Sequence, residues 1–275
     1  MSQGCGSVTE SPFDVLGWPA GYSVALMLDG VAIPEAGKQI YQWADDSEVD
    51  AECLYATTRW DQIAEISPWI VWLNGADDPV LAAFLKNGAM QEHGYLIVTG
   101  VDRTAFMRWI RAHLQVEKGS GCEEIVRISH PALARTVIGD QLGQRPPSGV
   151  VRQLIIPDQI SQRWHCIEPG KQGIGGTENN GYALALSDEL TQAFDAFNMR
   201  QVSLQIWESL DARTRMSLGG PFLKEAFPRL FSILVSARDA GHQSPREMMR
   251  FLFSVLSGDT VTLSGSGCAI FRDQG

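Results

Sequence analysis

Cysteine is scarce and scattered in this sequence. Cys5, Cys53, Cys122, Cys166 and Cys268 are odd in number and far apart, and they form no C-x-x-C and no close Cys/His cluster. Such spacing argues against a disulfide framework or a zinc knuckle, and a reducing, cytoplasmic compartment fits it most simply. No apolar run reaches about 18 residues, so nothing reads as a membrane-spanning helix. The opening M-S-Q-G-C-G-S-V-T-E-S-P has no positive region followed by an apolar one and does not read as a secretory signal. Positive charge is also short. A formal net charge of -10 argues against nonspecific binding to nucleic acid or insertion at an anionic membrane, because phosphate would be approached against the protein's own field. A locally basic patch is compatible with that balance.

Catalytic signatures are missing too. The chain contains no G-x-S-x-G elbow, H-E-x-x-H site, Walker A loop or H-x-E with a later P-C-x-x-C. Gly173, Gly175, Gly176 and Gly181 lack the spacing of a dinucleotide-binding loop, and their stretch reads as a flexible connector. The histidines are His93, His113, His130, His165 and His242. A histidine works as a base only where a nucleophile and an orienting group converge on it, and their spacing shows no such convergence. His165 and Cys166 are adjacent, so in a strand they point to opposite faces. On this reading the chain has no assigned catalytic, cofactor-binding or metal-ligating residue and is not an enzyme.

What the chain does have is apolar mass, 44% of 275 residues, enough for one large core or two modest ones. The stretch from Trp60 to Pro131 organises it. Three short apolar runs, Ile70–Leu73, Tyr95–Thr99 and Ile125–Ile128, read as buried strands. Between the first two, D-D-P-V-L-A-A-F-L-K reads as a helix with Asp78 as N-cap and Pro79 at its first position. Between the last two, Phe106, Trp109, Ile110 and Leu114 recur at helical spacing. Outside this unit, Ser23–Leu28 reads as a strand ended by Asp29-Gly30, and P-E-A-G-K-Q-I-Y-Q-W-A as a weak helix interrupted by Gly37. V-V-R-Q-L-I-I-P and the segment from Gln162 to Ile167 read as extended. From Leu186 the period changes to helical, with helices expected from Ser187 or Asp188 to about Leu210, over Pro221–Ala240 and from Pro245 to about Leu256. The expected fold is an α/β (or α+β) N-terminal domain with a smaller all-helical C-terminal domain. Its parts would be a flexible segment 1–20, the α/β domain 21–168, a glycine-rich linker 169–185, the helical domain 186–258 and a tail 259–275.

Large aromatics stand out. In P-W-I-V-W-L, alternation puts Trp69 and Val71 on one face and Ile70 and Trp72 on the other, so both faces must be covered. Trp69, Trp72 and Trp109 read either as core or as anchors of a protein-binding groove. Phe222, Phe227 and Phe231 load one small helix with apolar surface that something must cover.

Several of these segments, taken in order over about residues 22–140, carry a resemblance. They are Leu28-Asp29-Gly30, Leu54-Tyr55, Ser67-Pro68-Trp69, Gly94-Tyr95-Leu96-Ile97, the helix ending at His113-Leu114, and V-R-I-S-H-P-A-L with Arg127, Pro131 and Leu133. Together they resemble the effector adaptor or chaperone proteins of bacterial type VI secretion, the Tap/TEC family, with its formerly uncharacterised N-terminal domain. Ser129, His130 and Ala132 stand where that family usually has an aromatic, Asp and Arg. The resemblance implies a non-enzymatic cytoplasmic protein that binds a toxic effector, often through the effector's N-terminal region, and helps load it onto the spike protein VgrG. It implies no cofactor, no nucleic acid and no membrane insertion. On it, Trp69, Trp72, Trp109, Arg127, His130, Phe222, Phe227 and Phe231 are candidate protein-binding or groove-forming residues, with Arg127 holding either a buried carboxylate or the effector chain. A small hydrolase and a structural subunit of the secretion apparatus are the alternatives.

Overall fold

The computed structural model describes residues 3–8, 10–117, 123–144, 150–168, 184–185 and 188–258. The chain divides into two compact units, 1–194 and 195–275. In the first, the elements run β1 (Gln3–Ser7), α1 (Pro12–Leu16), β2 (Ser23–Leu28), α2 (Ala36–Ala44), β3 (Asp50–Cys53) and β4 (Trp69–Leu73). They continue with α3 (Pro79–Asn87), β5 (Gly94–Thr99), α4 (Arg103–Ala112), β6 (Gln115–Glu117), β7 (Glu123–Ile125) and α5 (Pro131–Gln144). Strands β8 (Val151–Asp158), β9 (Arg163–Ile167) and β10 (Leu184–Ala185) follow.

Seven strands form one sheet in the order β1-β9-β8-β5-β2-β4-β3, with every neighbouring pair antiparallel. Strand β2 lies at its heart because Val24 to Leu28 are apolar at every position and can be covered on both faces. On one face Val24, Leu26, Leu28, Val71 and Leu96 pack with Ile40 of α2 and with Leu81 and Phe84 of α3. On the other, Trp72 meets Phe106 of α4 edge to face, ring centroids 5.2 Å apart. The result is a sheet layered between helices.

The helix signals in the sequence work as expected. Asp78 caps α3 by accepting from Val80 N at 2.9 Å, and Asp102 caps α4 by accepting from Ala105 N at 2.9 Å. Gly37 does not interrupt α2. A Cβ there would fall 2.7 Å from the Trp69 ring, so glycine lets that indole lie against the helix.

The sequence leaves strand order open, and in the structure β2 separates β4 from β5. Three expectations need correction. First, the run Ile125–Ile128 does not enter the main sheet. Only Glu123–Ile125 is extended, in a small sheet ordered β10-β6-β7. Val126 and Ile128 are buried nonetheless, and the Ile128 amide turns back to the Val126 carbonyl at 2.8 Å on the way into α5. Second, the N-terminal stretch expected to be poorly ordered holds β1 and α1. Strand β1 pairs with β9, and the Trp164 indole donates to the Glu10 carbonyl at 3.0 Å. Q-G-C-G-S has no apolar period, so its strand is dictated by the waiting edge of β9. Third, Cys166 is disulfide-bonded, against the expectation drawn from cysteine spacing, while Cys53 is a free thiol.

The second unit is helical. Helix α6 (Asp188–Ser209) enters it, followed by α7 (Ala212–Ser217), α8 (Leu223–Asp239) and α9 (Pro245–Ser257). Ile206, Trp207, Leu230, Leu234, Phe251 and Leu252 form its core. Arg215 of α7 spreads over the Trp207 ring at 4.7 Å and donates to the Trp207 carbonyl, closing the end of α6. Helix α7 went unread because six polar-rich residues carry no period. Helix α9 starts with a reciprocal capping box between Ser244 and Glu247. The glycines from 173 to 181 and the tail 259–275 lie outside the described residues.

Candidate functional site

The polar centre of the first unit is built on Asp29, the residue that ends β2. Its side chain is fully buried, and a buried carboxylate must have its oxygens satisfied. Arg127 supplies two donors to Oδ2, Nε at 2.9 Å and Nη2 at 2.7 Å. Ser129 Oγ and the Val31 amide donate to Oδ1, each at 3.1 Å. Two charge-assisted bonds from one guanidinium converging on a single oxygen make this a strong pair. It ties the end of a central strand to the segment that leads into α5.

The backbone around Asp29 is equally tight. The Asp29 amide donates to the His93 carbonyl at 2.8 Å. A Cβ at Gly30 would lie 2.0 Å from the Ser67 carbonyl oxygen, and one at Gly94 would lie 2.1 Å from that of Met27. Ser67 Oγ in turn accepts from the Tyr55 amide at 3.0 Å, and the Pro68 carbonyl accepts from the Leu54 amide at 3.0 Å. Leu28-Asp29-Gly30, Leu54-Tyr55, Ser67-Pro68, Gly94 and Arg127, scattered along the sequence, therefore meet at one place.

Ionisable neighbours feel this charge and this burial. Burial, and then the Asp29 charge, push the Tyr55 hydroxyl up to about 12. The same causes raise Tyr95, whose buried hydroxyl has no hydrogen-bond partner among the described residues. Burial lowers His93, and the nearby Asp29 charge works against that shift. Beside them Glu92 is buried in a left-handed turn and accepts from the Gln159 amide at 2.8 Å. His130 is buried with its Nε2 at 3.9 Å from Glu92 Oε2, while its Nδ1 accepts from the Ala132 amide at 3.2 Å. That acceptor role puts the ring proton on Nε2, toward the glutamate. Glu92 and His130 are spent on holding turns.

A second polar group lies on the hairpin between β8 and β9. Asp158 Oδ2 accepts from Ser161 Oγ at 2.8 Å and lies 3.3 Å from His165 Nε2. The same Nε2 is 3.5 Å from Ser161 Oγ. A serine–histidine–aspartate relay needs the two ring nitrogens to face different partners. Here one nitrogen faces both, so the geometry orders a hairpin turn rather than activating the serine.

The aromatic candidates are placed as follows. Trp72 and Trp109 are both about nine-tenths or more enclosed, and Trp109 packs near Phe106 and His113. Trp69 is half-buried against the α2–α3 side of the sheet. Arg127 is committed to Asp29 and His130 sits beside Glu92. In the second unit Phe227 and Phe231 stack at 5.6 Å and are half-buried, while Phe222 is 61% exposed. The structure thus draws Arg127 together with Asp29, and Trp72 and Trp109 together around Phe106, within the first unit, while Phe222, Phe227 and Phe231 lie in the second. Sequence reasoning names Asp29 as a strand end and part of a family signature, and Ser129 as a departure from that signature, but assigns neither to the site and does not reach Glu92. The signal for Asp29 was present as an acid ending a wholly apolar strand. It also passed over Arg103, Arg108 and Arg111, whose spacing puts three cations on one face of α4.

Among the described residues, no group of three or more His, Cys, Asp or Glu side chains is arranged to hold a metal ion, and no helix is long and apolar enough to cross a membrane. A family model described as a domain of unknown function (DUF4123) matches residues 26–142, a span that contains Asp29, Gly30, Ser67, Gly94 and Arg127. No curated protein and no solved structure matches the chain.

Proposed function

We propose that this chain is an adaptor or chaperone of bacterial type VI secretion. It would bind a cognate toxic effector in the cytoplasm, through the effector's N-terminal region, and help load it onto the VgrG spike. The observation that carries this reading is the coincidence of two stretches. The residues that resemble the Tap/TEC adaptors fall within the span matched by the family model, and Leu28-Asp29-Gly30, Leu54-Tyr55, Ser67-Pro68, Gly94 and Arg127 among them converge on the Asp29 centre. They build a scaffold whose outer surfaces remain to bind a partner. The hairpin geometry at His165 gives the hydrolase alternative no support. The disulfide on Cys166 removes cysteine spacing as an argument for the compartment, so the cytoplasmic assignment rests on the adaptor reading itself.

Co-purification from the native cytoplasm tests the proposal, with partners identified by mass spectrometry and complexes sized by light scattering. A stoichiometric complex with a larger toxin-like protein, with or without the spike, is the expected result. A clean monomer when both partners are expressed would overturn it.

A further inference from the structure

Strand β3 is the last strand on its side of the sheet, and among the described residues nothing pairs with its outer edge. Its hydrogen-bonding pattern follows from its register. Cys53 lies opposite Trp69, and one step further the Leu54 amide donates to the Pro68 carbonyl at 3.0 Å. Bonded and non-bonded pairs alternate in an antiparallel ladder. Glu52 and Asp50 therefore spend their backbone groups on β4, while Ala51 and Cys53 turn theirs outward. Side chains alternate as well. Asp50 and Glu52 lie on the α4 face, where Asp50 pairs with Arg103 and Glu52 accepts from Trp72 Nε1 at 3.4 Å. Ala51 packs toward the α2–α3 core.

The α4 face beside this edge is basic. Arg103, Arg108 and Arg111, with Thr104, Met107 and Glu52, line an open pocket of about 460 Å³. Arg103 is held by Asp50 and stacks over the Trp72 ring at 5.0 Å. Arg111 Nε donates to the Leu54 carbonyl at 3.3 Å. Both are thereby fixed in place. Arg108 is exposed, and no described residue gives its guanidinium an ion-pair or hydrogen-bond partner. Asp50 and Glu52 offset two of these three charges, which leaves Arg108 as the cation that can select an acidic side chain on this face of a chain of net charge -10.

We infer that the outer edge of β3 accepts an extended acidic segment of a partner protein as an added strand. Backbone groups of the segment bond to Ala51 and Cys53. Its alternate acidic side chains fall on the α4 face, toward Arg108 and its neighbours, and the apolar ones between them fall on the Ala51 side. This deepens the adaptor reading by naming the chemistry of the cargo segment that the chain would hold.

The probe is a fluorescein-labelled peptide of alternating glutamate and valine, about ten residues long, titrated against the full chain by anisotropy. Saturable binding is expected, with slowed amide exchange at Ala51 and Cys53. Arg108→Glu should weaken it by about tenfold, and raised salt should weaken it too. N-methylation of alternate peptide amides, or lysine in place of glutamate, should abolish it. Equal binding of the N-methylated or the lysine peptide overturns the inference, as does full displacement by inorganic phosphate. A dimer of the free chain that Arg108→Glu dissolves would make a second copy the occupant, and also overturns it. Native cargo that stays bound to the Arg108→Glu chain refutes this surface and leaves the adaptor reading intact. Peptide binding without any native cargo refutes the adaptor reading and leaves the surface.

Discussion

Removing Arg127 tests the Asp29 centre most directly. Arg127→Ala leaves a fully buried carboxylate with only two neutral donors, Ser129 Oγ and the Val31 amide. Breaking one side of a buried pair costs about 3–5 kcal/mol. The Arg127 side chain is 35% exposed, so water already screens the pair from that side, and the lower end, about 3 kcal/mol, applies. Asp29→Asn is milder. It retains an oxygen for Val31 and Ser129 and leaves a partly hydrated arginine, for a loss of about 2 kcal/mol. In Asp29→Asn/Arg127→Ala neither charge is stranded, so the double variant should lose less than the sum of its singles by about 1–2 kcal/mol. Urea unfolding measures all three. With a slope of about 2 kcal/mol per molar, Arg127→Ala moves the midpoint down by about 1.5 M. Two compact units need not unfold together, so the shift is assigned by amide exchange of β2 and β5 residues. Strict additivity of the singles, or a midpoint shift for Arg127→Ala below about 0.3 M, would refute the reasoning.

Gly30→Ala drives a methyl group into the Ser67 carbonyl, a backbone atom that cannot rotate away, and should cost about 3–5 kcal/mol or prevent soluble expression, read by thermal unfolding. Tyr55 gives a pH signature. Its folded-state value is raised to about 12, whereas an unfolded tyrosine ionises near pH 10, so its contribution is whole below pH 10 and is lost as the pH rises toward about 12. The loss approaches about 1.4 kcal/mol per pH unit in that window, and urea midpoints of Tyr55→Phe should decline less steeply there than those of the native chain. Ser244→Ala removes the α9 capping box and should cost about 1 kcal/mol, with exchange quickened first at the Glu247 amide.

The sequence made strands and caps legible where local chemistry acts alone. Val24 to Leu28 are apolar throughout and Ser23–Leu28 forms β2 with the expected bounds, while Asp78-Pro79 starts α3 where an N-cap followed by proline should. Sheet order was not legible, because period and propensity state which residues are buried and not which strand lies beside which. Ile125–Ile128 shows the limit. Its apolar residues are buried as expected, yet the turn through Ser129 and His130 takes the chain out of extended geometry. Strand β1 shows the converse, a glycine-rich stretch made into a strand by its neighbour. The Asp29–Arg127 pair joins residues far apart in the chain, so no local window contains it. Arg127 alone suggested a buried carboxylate without saying which one.

This has a consequence for how function is divided over the chain. The residues that make the first unit recognisable are spent internally: Asp29 on Arg127, Gly30 on Ser67, Gly94 on Met27. Such a signature specifies a scaffold, and altering it should damage folding and binding together. Partner choice must then lie in groups the scaffold leaves uncommitted, since a cation already bonded inside the fold has little left to offer a ligand. Arg127 belongs to the first kind and Arg108 to the second. Arg127→Ala should therefore lose cargo only in step with its loss of stability, and a stabilising condition that restores its fold should restore binding. Arg108→Glu should unfold at the native urea midpoint and still release its partner. Paired measurement of midpoint and cargo retention for the two variants separates the roles, and loss of both properties in Arg108→Glu would refute the division.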